Sequence, residues 1–313
     1  MPTSVVLPVM PTDPAQLVPY AELVRDGRAA RLWQGQSLRL ETHQAFAYLA
    51  GLGHRVPVGT AVALMPLRHE LDAALQARSL ARLTGHRTVL GLGPGAADFV
   101  AELRGAPYPR PGEAAAGYLR TVRALLAGAS HGGLPEELDH PGVELGLGVL
   151  RPALARVAGR EADAAITWMT PPGYLRDTLG PALARGAGEA ERAVPRLVTV
   201  VHAALDRPGR NPYRLAYDAA HVHLASPHYS DMLRRAGLRV HPSSPSLGAR
   251  ALVDSGTFVH GDAEAVAAGL AEYARAGVDE VVVNVAGVAI AEGAEAALAD
   301  LREILDAVQR TAR

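Results

Sequence analysis

Residues 262–285 have the sequence DAEAVAAGLAEYARAGVDEVVVNV, which joins a helix-forming segment to a strand-forming one. Apolar residues recur at helical spacing over 262–276, with Asp262 placed to cap the helix start and Gly277 just beyond its end. Residues 280–285 then form a short run rich in valine, typical of a buried strand. A helix followed directly by such a strand indicates an α/β fold with a parallel sheet.

The same alternation of short β-branched runs and longer amphipathic stretches extends along the chain. A clear helical example is 71–83, whose charges lie opposite its leucines and alanines. Eight strands, each followed by a helix, predict a (β/α)8 TIM barrel. An open doubly wound sheet is the alternative, but residues 8–14 lack the glycine fingerprint expected after its first strand. The predicted strands are 4–9, 31–33, 56–62, 88–91, 143–147, 164–167, 196–202 and 280–285.

Two stretches are longer than ordinary connections. The length of 313 residues fits one barrel domain over 1–313 with insertions after strands 4 and 7, at 105–142 and 206–256. Long connections in compact domains usually carry lids or binding loops. Because the loops that follow the strands build the ligand face of a barrel, we expect both insertions near that face.

The composition excludes several kinds of chemistry. All 31 basic residues are arginine and the chain has no cysteine, so lysine Schiff bases, thiolate nucleophiles and disulfides are impossible. A formal net charge of -1 argues against a nucleic-acid binder. The first residues lack the pattern of a signal peptide, and no apolar run is long enough to span a membrane. We therefore expect a cytoplasmic protein with a small partner molecule.

Two candidate ligand segments follow predicted strands 3 and 4. The sequence GLGPG at 91–95 would let backbone N–H groups approach an anion at a helix start, although a simple tight turn explains it equally well. Residues 59–69 run from a strand into a loop with Arg68 and His69. We expect these two side chains on the rim of the ligand site. The alternative is that Arg68 points into solvent and His69 only faces the start of the next helix.

A third candidate segment, 168–174, follows predicted strand 6. Thr170 could cap the next helix with Pro171 or Pro172 in its first turn, and the same helix start could seat a phosphate. Arg151, at the end of the fifth strand, would supply a positive charge there.

Histidines concentrate in the second insertion. His221 and His223 would share one side if they lay on a strand, which makes a metal site conceivable. Few carboxylates lie at ligand spacing, so a polar surface that contacts substrate is favoured and no metal is predicted. The chain also lacks the G-x-S-x-G elbow of serine hydrolases.

Several short motifs, taken in order, resemble the bacterial luciferase-like superfamily. Within it the chain is most similar to enzymes that use the deazaflavin coenzyme F420, and GAPY at 105–108 with WQGQS at 33–37 resembles reductases of modified-peptide biosynthesis. The motifs are GTAV at 59–62, PLRH at 66–69, QARSL at 76–80, GLGPG at 91–95, YL at 118–119 and GREAD at 159–163.

The resemblance implies a barrel with F420, or alternatively FMN, in the mouth at the carboxyl ends of the strands. It also implies a cis peptide between Ala61 and Val62 behind the ring of the cofactor. His43 and Tyr229 are the candidate proton-transferring residues. The candidate cofactor-binding residues are Gln36, Ser37, Ala61, Val62, Met65, Gly93, Pro94, Gly95, Leu150, Arg151, Trp168, Met169 and Thr170.

The chain departs from the family at two positions that carry acid or base groups in relatives. Gln36-Ser37 stands where many relatives have Asp-His, and Ala96 stands where sugar-phosphate dehydrogenases of the group have Glu. Alcohol oxidation needs a base to remove the hydroxyl proton, so these changes disfavour it.

Three functions are therefore compared. The first is an F420H2-dependent reductase that transfers hydride to an activated C=C or C=N bond, with dehydroalanine in a peptide as one acceptor. An FMN-dependent monooxygenase and a non-catalytic flavin-binding barrel are the alternatives. Since relatives are often dimers, a homodimer is also left open.

Overall fold

Parallel strands form a closed barrel in the computed structural model, which describes residues 1–128 and 139–311. The ring is closed because the last barrel strand pairs with the first strand on one side and with the preceding barrel strand on the other. The predicted (β/α)8 barrel is therefore confirmed. Its strands are β1 (Thr3–Val6), β2 (Leu32–Gln34), β3 (Val58–Thr60), β5 (Thr88–Gly93), β6 (Val143–Gly148), β7 (Ala164–Trp168), β8 (Arg196–Leu205) and β10 (Glu280–Asn284), with the short additional strands β4 (Ala63–Leu64) and β9 (Val259–Gly261) beside them.

All eight predicted strands are present, but three are shorter than predicted, the last of them by only one residue. The first ends at Val6 instead of residue 9, before Pro8, which has no N–H to donate to a neighbouring strand. The third ends at Thr60, and the chain resumes extended structure only at β4, which pairs with β5. The unpredicted strand β9 pairs in parallel with the last residues of β8.

Helices surround the barrel. The cap predicted at Asp262 is present, since its carboxylate accepts from the Ala265 N–H at 2.8 Å, and Gly277 has a φ of +87°. No helix within the described ranges has both the length and the apolarity to cross a membrane. The α-helices are α1 (Val18–Arg25), α2 (Thr42–Gly51), α3 (Glu70–Thr84), α4 (Ala97–Arg104), α5 (Pro111–Leu126), α6 (Pro152–Glu161), α7 (Pro172–Tyr174), α8 (Gly180–Glu189), α9 (Pro212–Leu224), α10 (Pro227–Arg235), α11 (Pro245–Asp254), α12 (Ala263–Arg275), α13 (Ala286–Glu292) and α14 (Ala294–Thr311).

The two insertions are built from helices. The first contains α5, and its residues 129–138 lie outside the described part of the chain. The second contains α9, α10 and α11. His221 and His223 therefore lie on a helix, and the expectation that they share one side of a strand is wrong. Residues two apart on a helix point in different directions.

Side chains alternate between the barrel interior and the helices, as the pleat of a strand requires. The inward residues form an apolar cluster of their own, separate from the larger core between barrel and helices. This interior cluster consists of Val6, Trp33, Ala61, Val89, Ala164, Ile166, Val198, Val200 and Val282.

A charged network closes the amino-terminal end of the barrel, below the apolar interior. Arg196 donates to Glu144 at 2.9 and 3.0 Å and to Glu280 at 3.1 Å, which ties β6, β8 and β10 together. Glu280 also accepts from the Ser4 hydroxyl at 2.6 Å and from the Trp33 indole at 2.8 Å. Both glutamate side chains are buried, so a ligand has to approach the barrel from its other end.

We predict that Arg196→Met lowers the free energy of unfolding by about 3 kcal/mol, since it leaves two buried carboxylates without their shared cation. Urea denaturation measures the change. Arg275→Ala removes an exposed arginine paired with Glu272 on α12 and is the control, with an expected change within about 0.5 kcal/mol. Equal stability of the Arg196 variant and the wild type would show that the network contributes nothing to closure.

Candidate functional site

A large cavity opens at the carboxyl ends of the barrel strands. Its volume is about 1840 Å³, above the roughly 300–1,000 Å³ of ordinary small-molecule pockets. The loops after β2, β3, β5, β6 and β7 line it, together with α10 from the second insertion. The cavity is therefore large enough for a cofactor and a second molecule.

One wall of the cavity is shaped by glycines against Val62. A Cβ at Gly93 would lie 2.7 Å from Val62 Cγ2, and one at Gly148 would lie 3.2 Å from Val62 Cγ1. The peptide between Ala61 and Val62 is cis, as the family resemblance implied. Gly95 has a φ of +77°, a backbone conformation that favours glycine. Small residues are thus required here for Val62 to form the wall.

A second wall of the cavity is aromatic. Trp168 stacks on His223 with ring centroids 5.8 Å apart and planes inclined by 22°. Tyr229 meets His223 edge-on at 4.8 Å, and His228 lies 4.9 Å from Tyr229. All four line the cavity, while His202 packs beneath Trp168 at 5.9 Å. We call Trp168, His223, His228 and Tyr229 the aromatic wall.

Burial keeps the groups of this region uncharged at neutral pH. It lowers the pKa of His202 to about 3 and, with the nearby His228 and His221, lowers that of His223 to about 4. Burial raises the pKa of Tyr229, so its phenol stays protonated. The aromatic wall can therefore offer a neutral hydroxyl, but it holds no carboxylate.

Several buried polar atoms along the cavity have no hydrogen-bond partner within the described part of the protein. They are both amide atoms of Gln34, the indole Nε1 of Trp168 and Nδ1 of His223. An unsatisfied buried polar group costs about 1–3 kcal/mol, so these atoms fit a site completed by a bound molecule.

A network beside the cavity joins the loops after β2 and β4. Gln36 accepts from the Leu64 N–H at 3.1 Å and contacts the Arg68 guanidinium. Arg68 is buried and lies 3.5 Å from Glu41, which accepts from His43 at 2.9 Å. Burial opposes ionisation of Glu41, but the hydrogen bond from His43 and the charge of Arg68 outweigh it and lower the pKa of Glu41 to about 2. His43 is therefore held in this network as a hydrogen-bond partner of Glu41.

The loops bring most of the predicted site residues to one cavity. Four others are buried away from it: His43, Met65, Met169 and Thr170. Thr170 caps no helix; its hydroxyl donates to the Trp168 carbonyl, and Pro172 begins α7. Those that line the cavity are Gln36, Ser37, Ala61, Val62, Gly93, Pro94, Gly95, Leu150, Arg151, Trp168 and Tyr229.

The sequence analysis did not assign Gln34 to the site, and it did not predict that His223 and His228 belong to one aromatic wall. A signal for His223 was present, because Ala216, Ala220 and Leu224 recur at helical spacing on the buried side of α9. His69, by contrast, is exposed and only caps α3 through its Nδ1. Within the described ranges, no group of three metal-ligating side chains is found.

We predict that the acid sensitivity of the protein depends on His202. An unfolded histidine has a pKa near 6.5, whereas the pKa of folded His202 is about 3. The folded state is therefore stabilised, relative to the unfolded state, in full above pH 6.5, and this contribution is lost as the pH falls toward 3. Between pH 7 and 5 the loss is about 2 kcal/mol for this residue. Urea denaturation at both pH values should show a smaller loss for His202→Leu than for wild type. His221→Leu, which removes an exposed imidazole, should keep the wild-type loss; equal losses in all three proteins would contradict the assignment.

We predict a strong coupling between Gly93 and Val62. Gly93→Ala should cost about 1–3 kcal/mol of unfolding free energy, because the new methyl group overlaps Val62. Adding Val62→Ala removes the overlapping atoms, so the double variant should recover about 1 kcal/mol relative to the sum of the single changes. A double-mutant cycle by urea denaturation measures this, and strict additivity would exclude the contact.

Comparisons with known proteins agree with this architecture. The F420-dependent tetrahydromethanopterin reductase of Methanopyrus kandleri superposes with a TM-score of 0.74 at 17% identity, over 100% of both chains. An F420-dependent secondary alcohol dehydrogenase in complex with an F420-acetone adduct gives 0.70 at 17% identity, over 98% of this chain and 99% of the other. A type II Baeyer–Villiger monooxygenase component from Pseudomonas putida, in complex with FMN, gives 0.68 at 14%, over 98% of each.

Sequence comparisons assign the family. A search of curated proteins gave no match. The model of the luciferase-like monooxygenase family, however, matches residues 5–280, which include six of the barrel strands in full, part of β1, the first residue of β10 and the whole cavity lining. The chain belongs to the luciferase-like monooxygenase family.

Proposed function

We propose that this protein is an oxidoreductase that transfers hydride from reduced coenzyme F420 to an activated C=C or C=N bond. The observation that carries the proposal is the cavity lined by Val62 and the aromatic wall, where a flat ring would meet apolar and uncharged groups. The F420-dependent reductase and dehydrogenase with the same fold support the choice of cofactor.

The residues present fit such a cofactor. Glycines at 93 and 148 leave space that side chains would fill, and the unpartnered Gln34 amide is available to a polar ring edge. Arg151 stands at the amino-terminal end of α6, where a positive side chain and free backbone N–H groups suit a phosphate. We assign cofactor contacts to the predicted residues that line the cavity, which excludes Met65, Met169 and Thr170.

The bound cofactor would supply the hydride, and the chain would position the acceptor and provide a proton. Tyr229 is our proton donor, since its hydroxyl stays protonated and its side chain lines the cavity. His43 does not line the cavity, and its Nδ1 is held by Glu41, so it is not part of this proposal.

The acceptor is an electron-poor double bond. Gln36, Ser37 and Ala96 line the cavity at the positions where relatives carry acid or base groups, so a base for alcohol oxidation is missing there. Reduction of a polarised double bond needs only hydride at carbon and one proton. The size of the cavity leaves room for a peptide-borne acceptor such as dehydroalanine beside the cofactor.

An FMN-dependent monooxygenase is the second candidate. It is supported by the family itself and by the FMN complex of the Pseudomonas putida enzyme with the same fold. Consumption of oxygen with reduced FMN would favour it, whereas anaerobic two-electron turnover with F420 favours the reductase.

We predict that purified protein binds F420 at least about tenfold more tightly than FMN, as measured by fluorescence titration of each cofactor. Arg151→Ala should weaken F420 binding by about tenfold, because it removes a charge from the phosphate site. Arg275→Ala, far from the cavity lining, should leave both affinities unchanged.

Tighter binding of FMN would overturn the choice of cofactor. An unchanged F420 affinity in Arg151→Ala would remove Arg151 from the site.

A further inference from the structure

Three arginines on the cavity rim share a single carboxylate. Asp231 lies 2.9 Å from Arg235, 3.6 Å from Arg151 and 3.9 Å from Arg234, measured between guanidinium nitrogens and carboxylate oxygens. All four side chains line the cavity, and the arginines are about half exposed. One carboxylate leaves two of these positive charges without compensation.

Other arginines of the lining have carboxylates near them. Arg120 lies 2.6 Å from Glu161, and Arg160 lies 3.1 Å from Glu189. The chain as a whole carries a formal net charge of -1, so the surplus at Arg151, Arg234 and Arg235 is a local feature. We call these three side chains the rim arginines.

The rim arginines come from separate elements that meet at the cavity edge. Arg151 precedes α6, whereas Arg234 and Arg235 occupy the last turn of α10, inside the second insertion. Arg151 also helps burial to lower the pKa of His228, which keeps that neighbouring imidazole from adding to the charge. Asp231 compensates only one of the three positive charges, so a ligand that neutralises the rim arginines in full has to carry at least two negative groups.

We propose that the rim arginines bind an oligocarboxylate, a flexible chain that carries several carboxylates in a row. Each guanidinium can bind a carboxylate through two parallel hydrogen bonds, and half-exposed arginines keep the site open to an extended chain. The carboxylates belong either to the glutamate tail of F420 or to an acidic segment of a peptide substrate. The first source rests on the proposed function, and the second does not depend on F420.

The direct test uses a fluorescein-labelled hexaglutamate peptide and measures its anisotropy with the full-length protein. Arg234→Ala/Arg235→Ala should weaken binding by about tenfold and each single change by about threefold, in line with the energies of half-exposed ion pairs. Asp231→Asn removes the competing carboxylate and should tighten binding. Arg275→Ala, an exposed arginine on α12, is the matched control and should bind as wild type does.

Binding should also weaken as salt rises from about 0.05 to 0.5 M, because these contacts are partly exposed. Absence of hexaglutamate binding to wild type, or equal binding by wild type and the folded double variant, would overturn the proposal. Circular dichroism establishes that each variant is folded.

A second titration identifies the source of the carboxylates. If F420 with its glutamates binds more tightly than F420 lacking them, and the double variant loses this difference, the cofactor tail is the ligand. If both forms of F420 bind equally while hexaglutamate binds, the substrate carries the carboxylates. If hexaglutamate binds and F420 does not, the proposed function fails and the oligocarboxylate site stands.

Discussion

The position of Arg196 between Glu144 and Glu280 is the constraint on which the rest of the structure depends. Two carboxylates are buried at the base of the barrel, and burial of an uncompensated charge costs several kcal/mol. Strands β6, β8 and β10 therefore converge on the Arg196 guanidinium, and Arg31 is a second cation 3.9 Å from Glu280. With the base filled by charge and the interior by apolar side chains, the large cavity lies at the carboxyl ends of the strands.

The chemistry of the cavity follows from the difference between its two walls. The glycines of β5 and β6 bring backbone and Val62 close to a ligand, whereas β7 and the second insertion contribute large rings. Burial holds the imidazole of His223 neutral and the phenol of Tyr229 protonated. Such surroundings suit the transfer of a hydride, which is a small anion that water would intercept, better than reactions that require a charged nucleophile.

The barrel could be predicted from sequence because its strands are strongly patterned. Valine-rich runs such as 280–285 and a correctly identified cap at Asp262 reflect local physics that acts within a few residues. The glycines at 91–95 could also be placed near the ligand face, since only backbone requirements were involved. Sequence therefore predicted the architecture and the loops of the site.

Side-chain directions within those loops were harder to predict. Met169 follows the inward-facing Trp168, but its φ of +57° and its N–H bond to the Val200 carbonyl accompany a side chain packed in the core. His43 looked available for chemistry until the structure showed Glu41 and Arg68 around it. The helices of the second insertion were missed although α9 has an apolar period, because Pro212, Pro227 and Pro245 suggested loops, whereas each of them begins a helix.

The second insertion leaves and rejoins the barrel at almost the same point. The N–H of Asp206, just after β8, donates to the carbonyl of Gly261 at 2.8 Å. Gly261 ends β9, which pairs in parallel with the last residues of β8. Hydrogen bonds thus hold the two ends of a segment of some fifty residues next to each other. The pairing of β8 with β10, which closes the ring, lies outside this segment. Because the entropy of closing a loop grows only slowly with its length, a segment of this size can be inserted between β8 and β9 without opening the ring.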